Sequence, residues 1–409
     1  MTRPGERQRG KRLLVVGAGA YQHYIYETAR NFGIWVCSVD ANPNSPMFAR
    51  SDDYRVINFS DHRSVVSYAE SQGVDAVATI NIDQGMVSVA KIQEGLGVPF
   101  KDLDSIRAAT RKDLMRSVWK EAGISQPRFW VFSEEEKQEI IDWAVNQEGD
   151  LIIKPVDNAA KRGVARLVGG REALRVVVDE AFSESKSKMV IVEEMIEGTL
   201  VFAATYLNAK GIGRVFLIRQ DVGENFVQMS FDAPFTFGSE VDKRVMDEAV
   251  RAARCFGPGP YHTEVIVTSD GIPYLVETSP RVSYATVALS RLVDGFDPVL
   301  QVLQEAFQEE FDVGEAAPHN AHACLQHLCP KAGSVVRARE IWEVCDENLY
   351  EVVPLVPDGH VVKPFRTNAD RVFYYTAFAD SSKGLQEVRG RFSEYFMRRC
   401  FVPAAEGAI

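Results

Sequence analysis

His262-Thr-Glu264-Val-Ile-Val-Thr-Ser-Asp270-Gly271-Ile-Pro-Tyr-Leu-Val-Glu277 reads as two apolar runs folded around an Asp-Gly pair. Asp-Gly is the favoured centre of a two-residue hairpin turn, because such turns need left-handed backbone at both central positions. Counting outward in equal steps from Asp270 and Gly271 sets Glu264 opposite Glu277, with Cβ atoms about 5 Å apart. Two like charges opposed on an apolar hairpin repel and are costly to desolvate. A divalent cation between them answers both costs, and magnesium takes a few carboxylate oxygens together with phosphate oxygens and water. The spacing is equally consistent with glutamates that are solvated or paired with lysines.

Upstream, Leu151-Ile-Ile-Lys154-Pro155 is an apolar strand ending in a lysine, which either snorkels or points at an anion. Residues 157–163 follow as a polar turn with two cations, Lys161 and Arg162, of a kind that could cover phosphates. The strand from Val190 leaves through the acidic, glycine-ended loop Glu193-Glu194-Met195-Ile196-Glu197-Gly198. Such a loop could bond an adenine through its backbone, or be an ordinary strand end. Downstream, His319, His322, Cys324, His327 and Cys329 look like a metal cluster. A strand sends alternate side chains to opposite faces, so His322 and Cys324 would diverge from His327 and Cys329. The expectation is core and surface residues.

The N-terminal part has the alternation of a doubly wound parallel sheet. Leu13–Val16 is a buried strand, Ile34–Val39 a second and Asp75–Ile80 another, with helical segments between them. Gly17 and Gly19 sit at the first strand-to-helix turn and Asp40 ends the second strand, the geometry of a dinucleotide site. Gln22 breaks that fingerprint where close helix–strand packing wants glycine. The chain has 409 residues, 46% hydrophobic and 25% charged, which suits a globular protein of several subdomains. A net charge of −11 disfavours a nucleic-acid or membrane-surface role. Six cysteines without a C-x-x-C pair, and an apolar run at Leu13–Val16 too short for a leader or a span, suggest a cytoplasmic protein with reduced thiols.

Taken in order, these segments resemble the ATP-grasp superfamily over roughly residues 12–310, with carboxylate–amine ligases of the L-amino-acid (dipeptide) ligase kind the nearest likeness. The likeness includes a lysine-led helix, Lys112-Asp-Leu-Met-Arg116, and the turn Ala122-Gly123-Ile124-Ser-Gln-Pro127. It implies an α/β and α+β architecture: a Rossmann-like N-terminal domain (1–110), a mobile lid (111–190), a central β-rich catalytic subdomain (191–310) and a small α+β C-terminal subdomain (311–409). It implies that Lys112 and Lys154 bind ATP phosphates and that Glu193, Glu194, Met195 and Ile196 form the adenine hinge. Glu264, Glu277 and Ser279 would hold magnesium, with serine standing where many members carry asparagine. Arg281 would stabilise the transferred phosphoryl group, and His262 would orient substrate.

Leu200 replaces a ribose-binding glutamate found in some members, the 157–163 loop is poor in glycine, and the stretch after Arg281 lacks the usual glycines. Tyr284 and Phe231 could line an amino-acid pocket or belong to the core. The implied reaction joins a carboxylate to an amine with ATP, in a protein whose relatives are commonly homodimers. Rival readings are another acceptor (bicarbonate or a carrier-protein thiol), a non-catalytic nucleotide-binding module, and an NAD(P)-dependent oxidoreductase built on Gly17, Gly19 and Asp40.

Overall fold

Leu13, Leu14, Val15 and Val16 are wholly buried because their strand is covered on both faces. Leu13 and Val15 pack with Tyr24, Ile25 and Ala29 of the helix His23–Asn31. Leu14 and Val16 face Val65 and Ala69 of His62–Gln72 and Val89 and Ile92 of Asp83–Leu96. The computed structural model describes residues 10–98, 102–147, 149–223, 226–311 and 321–403. Strands β1 (Arg12–Val16), β2 (Trp35–Asp40), β3 (Asp53–Val56) and β4 (Ala76–Ala78) form a parallel sheet in the order β3-β2-β1-β4.

Gly17 has φ 90°, and a Cβ there would lie 2.4 Å from Ile82 Cδ1, so the turn after β1 packs against its own chain. Gln22 explains the broken fingerprint: its amide donates to Ile80 O at 2.6 Å and accepts from Ile80 N at 3.2 Å, clamping the end of β4. Asp40 accepts from the backbone N–H groups of Ala18 and Asn42, both at 2.8 Å, and so secures the turn itself.

A second, antiparallel sheet has the order β5-β8-β6-β7, from β5 (Phe129–Ser133), β6 (Leu151–Pro155), β7 (Ala165–Arg166) and β8 (Met189–Glu194). Helices Lys137–Ala144 and Arg171–Glu184 close its core through Ile140, Leu174 and Phe182. The largest sheet has eight antiparallel strands. These include β9 (Thr199–Leu207), β10 (Gly213–Val222), β11 (Gln228–Ala233), β12 (Gly259–Val267), β13 (Pro273–Ser279) and β14 (His322–His327). After β15 (Ser334–Val336) come β16 (Leu349–Pro354) and β17 (Phe373–Ala379), giving the order β13-β12-β9-β10-β11-β14-β17-β16. A last strand, β18 (Phe401–Pro403), pairs with β15.

The β12–β13 hairpin corrects one expectation. Its turn holds three residues, Ser269, Asp270 and Gly271, closed by Thr268 N to Ile272 O at 3.1 Å. Gly271 alone takes the left-handed conformation, at φ 77°. The longer turn would slip the register by one residue, but a bulge at Val276 restores it. Glu264 therefore does oppose Glu277. The bulge is held by Arg116, which donates to Leu275 O and Val276 O, both at 2.7 Å.

Among the described residues no group of three metal-ligating side chains converges. His327 is instead buried against the hydroxyl of Tyr284 at 2.6 Å, and His319 lies outside the described residues. No described helix is long and apolar enough to cross a membrane.

Candidate active site

The two glutamates of the hairpin are each met by a lysine from another part of the chain. Lys112 opens the helix Lys112–Glu121, which Met115 and Trp119 pin into the core beneath the large sheet. Its Nζ lies 2.9 Å from Glu277 Oε1 and donates to Asn158 O at 3.1 Å. Lys161 Nζ lies 2.9 and 3.2 Å from the two oxygens of Glu264, and Gln228 Nε2 donates to the same carboxylate at 3.3 Å. The structure thus shows the lysine-paired state that the spacing allowed. Burial pushes the Glu277 carboxyl up, but Lys112 and Lys161 outweigh it and hold the group at about 2. Burial likewise opposes charge on Lys161, and Glu264 and Glu277 overcome it and raise the ammonium above its usual value.

Lys161 reaches the hairpin because the 157–163 loop turns sharply. Ala160, Lys161 and Gly163 all have φ near +60° (60°, 64° and 66°), and two of them bear side chains. Left-handed backbone at such residues persists only where the surroundings enforce it. Here Asn158 anchors the loop by donating to Glu184 O at 2.8 Å, and it accepts from Arg162 Nη2 at 2.8 Å.

Lys154 ends β6 with its Nζ 2.6 Å from Glu193 Oε2, and Arg116 Nε donates to the other oxygen at 2.7 Å. All three side chains are buried. Burial works against the Glu193 carboxylate, but Arg116 and Lys154 hold it below its ordinary range. For Lys154 burial is the larger effect and, with Arg116 nearby, lowers the ammonium despite Glu193. Beyond Glu193, the N–H groups of Glu194 and Met195 donate to Arg128 O at 3.1 Å and Asp150 O at 2.9 Å. Ile152, Met195, Ile196, Leu200 and Ile266 form an apolar wall beside this loop.

Arg281 follows β13 and its Nε donates to Asp83 at 2.7 Å, while its Nη1 is buried without a partner. His262, the register partner of Ser279, is buried with its ring 4.3 Å from that of Phe202 and its Nδ1 unpartnered. Burial, reinforced by the Arg281 charge, keeps the imidazole well below its usual value and therefore neutral.

Lys112, Lys154, Glu193, Glu194, Met195, Ile196, His262, Glu264, Glu277, Ser279 and Arg281 all line one cleft of about 350 Å³. Tyr284 and Phe231 line it as well. Lys161 of the two-cation turn joins them, as do Gln228, Asp83 and Arg371, which nothing in the sequence marks.

No protein-family model matches the chain. A formate-dependent phosphoribosylglycinamide formyltransferase of Ignicoccus hospitalis is 27% identical over 291 residues, covering 66% of this chain and 69% of that protein. The solved L-amino acid ligase from Bacillus licheniformis superposes with a TM-score of 0.77 at 21% identity, over 97% of this chain and 100% of that one. The biotin carboxylase domain of the Hydrogenobacter thermophilus 2-oxoglutarate carboxylase, solved with MgADP and bicarbonate, superposes with a TM-score of 0.77 at 15% identity, over 94% and 89%. The chain shares its fold with these two solved structures over nearly its whole length.

Proposed function

We propose that the protein is an ATP-dependent, ADP-forming ligase that joins a carboxylate to an amine through an acyl phosphate. The observation that carries this is the Glu264–Glu277 pair, opposed on one hairpin and met by Lys112 and Lys161. Two carboxylates suit a magnesium that takes its remaining oxygens from a nucleotide and water. Bound there by Glu264, Glu277 and Ser279, magnesium would supply charge neutralisation to the phosphoryl group.

The protein's own residues do the rest. Lys112, Lys154 and Lys161 bind phosphate oxygens. Residues Glu193–Ile196, with the apolar wall beside them, hold the adenine. Arg281, with a buried unpartnered nitrogen, stabilises charge on the transferred phosphoryl group and on the oxyanion formed when the amine attacks. Neutral His262 orients the substrate by hydrogen bonding. The sheet of β5–β8 with the 157–163 loop closes as a lid and excludes water, which would hydrolyse an acyl phosphate.

The substrates are small molecules: an amino acid or small carboxylic acid, and an amine, giving an amide or dipeptide. Two of the three named proteins fit this class, one being an L-amino acid ligase and the other a formate-dependent phosphoribosylglycinamide formyltransferase, whereas the biotin carboxylase domain was solved with bicarbonate. We place the enzyme in the cytoplasm as a homodimer, where six unpaired cysteines stay reduced. A matrix of carboxylates (formate, L-amino acids, bicarbonate) against amines, read by ATP-dependent phosphate release, tests the assignment. Release with a carboxylate and an amine together supports it. Turnover with bicarbonate alone gives the other acceptor, and no release with any pair refutes ligation.

A further inference from the structure

Arg281 enters the cleft from the stretch after β13, but its guanidinium is fixed by a residue 198 positions earlier in the chain. Asp83 opens the helix Asp83–Leu96, which packs on the N-terminal parallel sheet, and it lines the same cleft. Its carboxylate accepts from Arg281 Nε at 2.7 Å. The bond runs through Nε, while Nη1 is buried without a partner. A carboxylate on Nε fixes the direction of the guanidinium and leaves Nη1 for another anion.

The stretch that carries Asp83 is itself held from two sides. Asn81, in the left-handed conformation at φ 62°, donates its N–H to Val282 O at 2.8 Å, beside Arg281. Gln84 accepts from Lys186 Nζ at 2.8 Å. The backbone N–H of Lys186 in turn donates at 3.0 Å to Asp157, the first residue of the 157–163 loop. Residues 81–84 therefore touch the end of the hairpin on one flank and the turn before β8 on the other, with Asp83 between the two.

We propose that Asp83 is a positioning residue for phosphoryl transfer: it aims the Arg281 guanidinium into the cleft, and so brings the N-terminal sheet and its helices into the reaction centre. This rests on the ligase reading above. A group that stabilises developing charge has to be held within about 0.5 Å of its productive place by the residues behind it. Arg281 has a long side chain with much rotamer freedom to lose, and the bond to Asp83 removes that freedom before any nucleotide arrives. A counter-ion that merely neutralised Arg281 would act with the opposite sign, because its removal would strengthen the pull of the guanidinium on phosphate.

Calorimetric titration with MgADP, alone and with aluminium fluoride as a mimic of the transferred phosphoryl group, separates the two. For Asp83→Asn and Asp83→Ala we expect MgADP affinity within about twofold of the wild type, and the affinity added by aluminium fluoride lowered about 10-fold or more. Adding Asp83→Ala to Arg281→Met should cost nothing further, whereas a structural role would still show in that background. Arg281→Lys keeps the charge but has no Nε for Asp83 to hold, so it too should lose the gain. Unchanged or tighter binding of the mimic by the Asp83 variants overturns the proposal. So does a further loss in the Arg281→Met background, or an Arg281→Lys protein that keeps the gain, which decides the matter even if no Asp83 variant folds. Aluminium fluoride that adds nothing to the wild type overturns it as well, and MgADP that gives no heat removes the nucleotide site with it. Phosphate release by no carboxylate–amine pair refutes ligation alone and leaves this measurement standing.

Discussion

Glu277→Gln separates two duties of one carboxylate, because glutamine keeps the length of the side chain and removes its charge. In the fold, burial opposes the ionised form, while Lys112 and then Lys161 overcome it and bring the carboxyl from its ordinary 4.5 to about 2. At 1.36 kcal/mol per pH unit such a depression is worth about 3 kcal/mol. The side chain keeps 27% of its surface open to the cleft, and water there screens the pair, so the expected net loss is about 1–2 kcal/mol. The folded value lies below the unfolded one. This stabilisation is therefore complete above pH 4.5 and disappears as the pH falls through about 2.

For activity, removing one of the two proposed magnesium carboxylates should take away several kcal/mol of charge stabilisation, or about a thousandfold in kcat. Urea unfolding between pH 7 and pH 3 checks the first quantity. ADP release at varied magnesium checks the second. A stability gap that fails to narrow with acid would refute the Lys112 pairing as its source. A kcat within about threefold of the wild type, at unchanged magnesium dependence, would sink the metal assignment.

Arg116→Met would leave Glu193 with Lys154 alone and free the carbonyls of Leu275 and Val276 at the bulge; we expect a loss of about 3–5 kcal/mol in urea unfolding, and a loss under about 1 kcal/mol would contradict that role. Gln22→Gly completes a dinucleotide fingerprint on paper. It should instead lose the clamp on Ile80, at a cost of about 2 kcal/mol, and give no NADH binding by fluorescence titration; tight NADH binding would reverse our reading of the Gly17 turn. Since burial and then Arg281 keep His262 neutral, the kcat–pH profile should show no inflection near pH 6.5 from this residue. His262→Asn should leave the shape of that profile unchanged, and an inflection lost in the variant would show that His262 titrates during turnover.

What could be read from the sequence follows the distance over which each interaction acts. The four-residue run Leu13–Val16 needs only its own apolarity to be a buried strand. Pro298–Phe307 carries its start signals locally, with Asp297 accepting from Val299 N and proline in the first turn. Equal counting from Asp270 and Gly271 sets the hairpin glutamates opposite one another even though the turn is one residue longer, because the Val276 bulge offsets the extra residue. The helix Asp83–Leu96 begins after Ile82 with no capping side chain, and the acidic Asp83 in its first turn is a weak local mark. Asp83 then acquires its role only through Arg281, 198 positions away. Glu193 reads locally as the end of a strand, whereas its side chain is fixed between Arg116 and Lys154, 77 and 39 positions away. Lys161 was visible as a cation, but its reach to Glu264 depends on left-handed backbone at Ala160 and Lys161, which neither residue type announces.

The pairing of cations with carboxylates also bears on how a triphosphate could enter so buried a site. An unpaired lysine in the cleft would draw phosphate strongly but would cost the empty protein stability. Here Lys112 and Lys161 are satisfied by Glu277 and Glu264, at 2.9 Å each. On the proposed reading a magnesium-bound triphosphate brings both signs of charge. The lysines exchange carboxylates for phosphate oxygens while the glutamates exchange ammonium groups for the cation, and no buried charge is left alone. Triphosphate without a divalent cation would strip the lysines from Glu264 and Glu277 and leave two like charges facing each other across the hairpin. On that reading divalent cation should be required for nucleotide binding as well as for turnover, and ATP that bound equally well in the presence of excess chelator would show that the hairpin is not part of the nucleotide site.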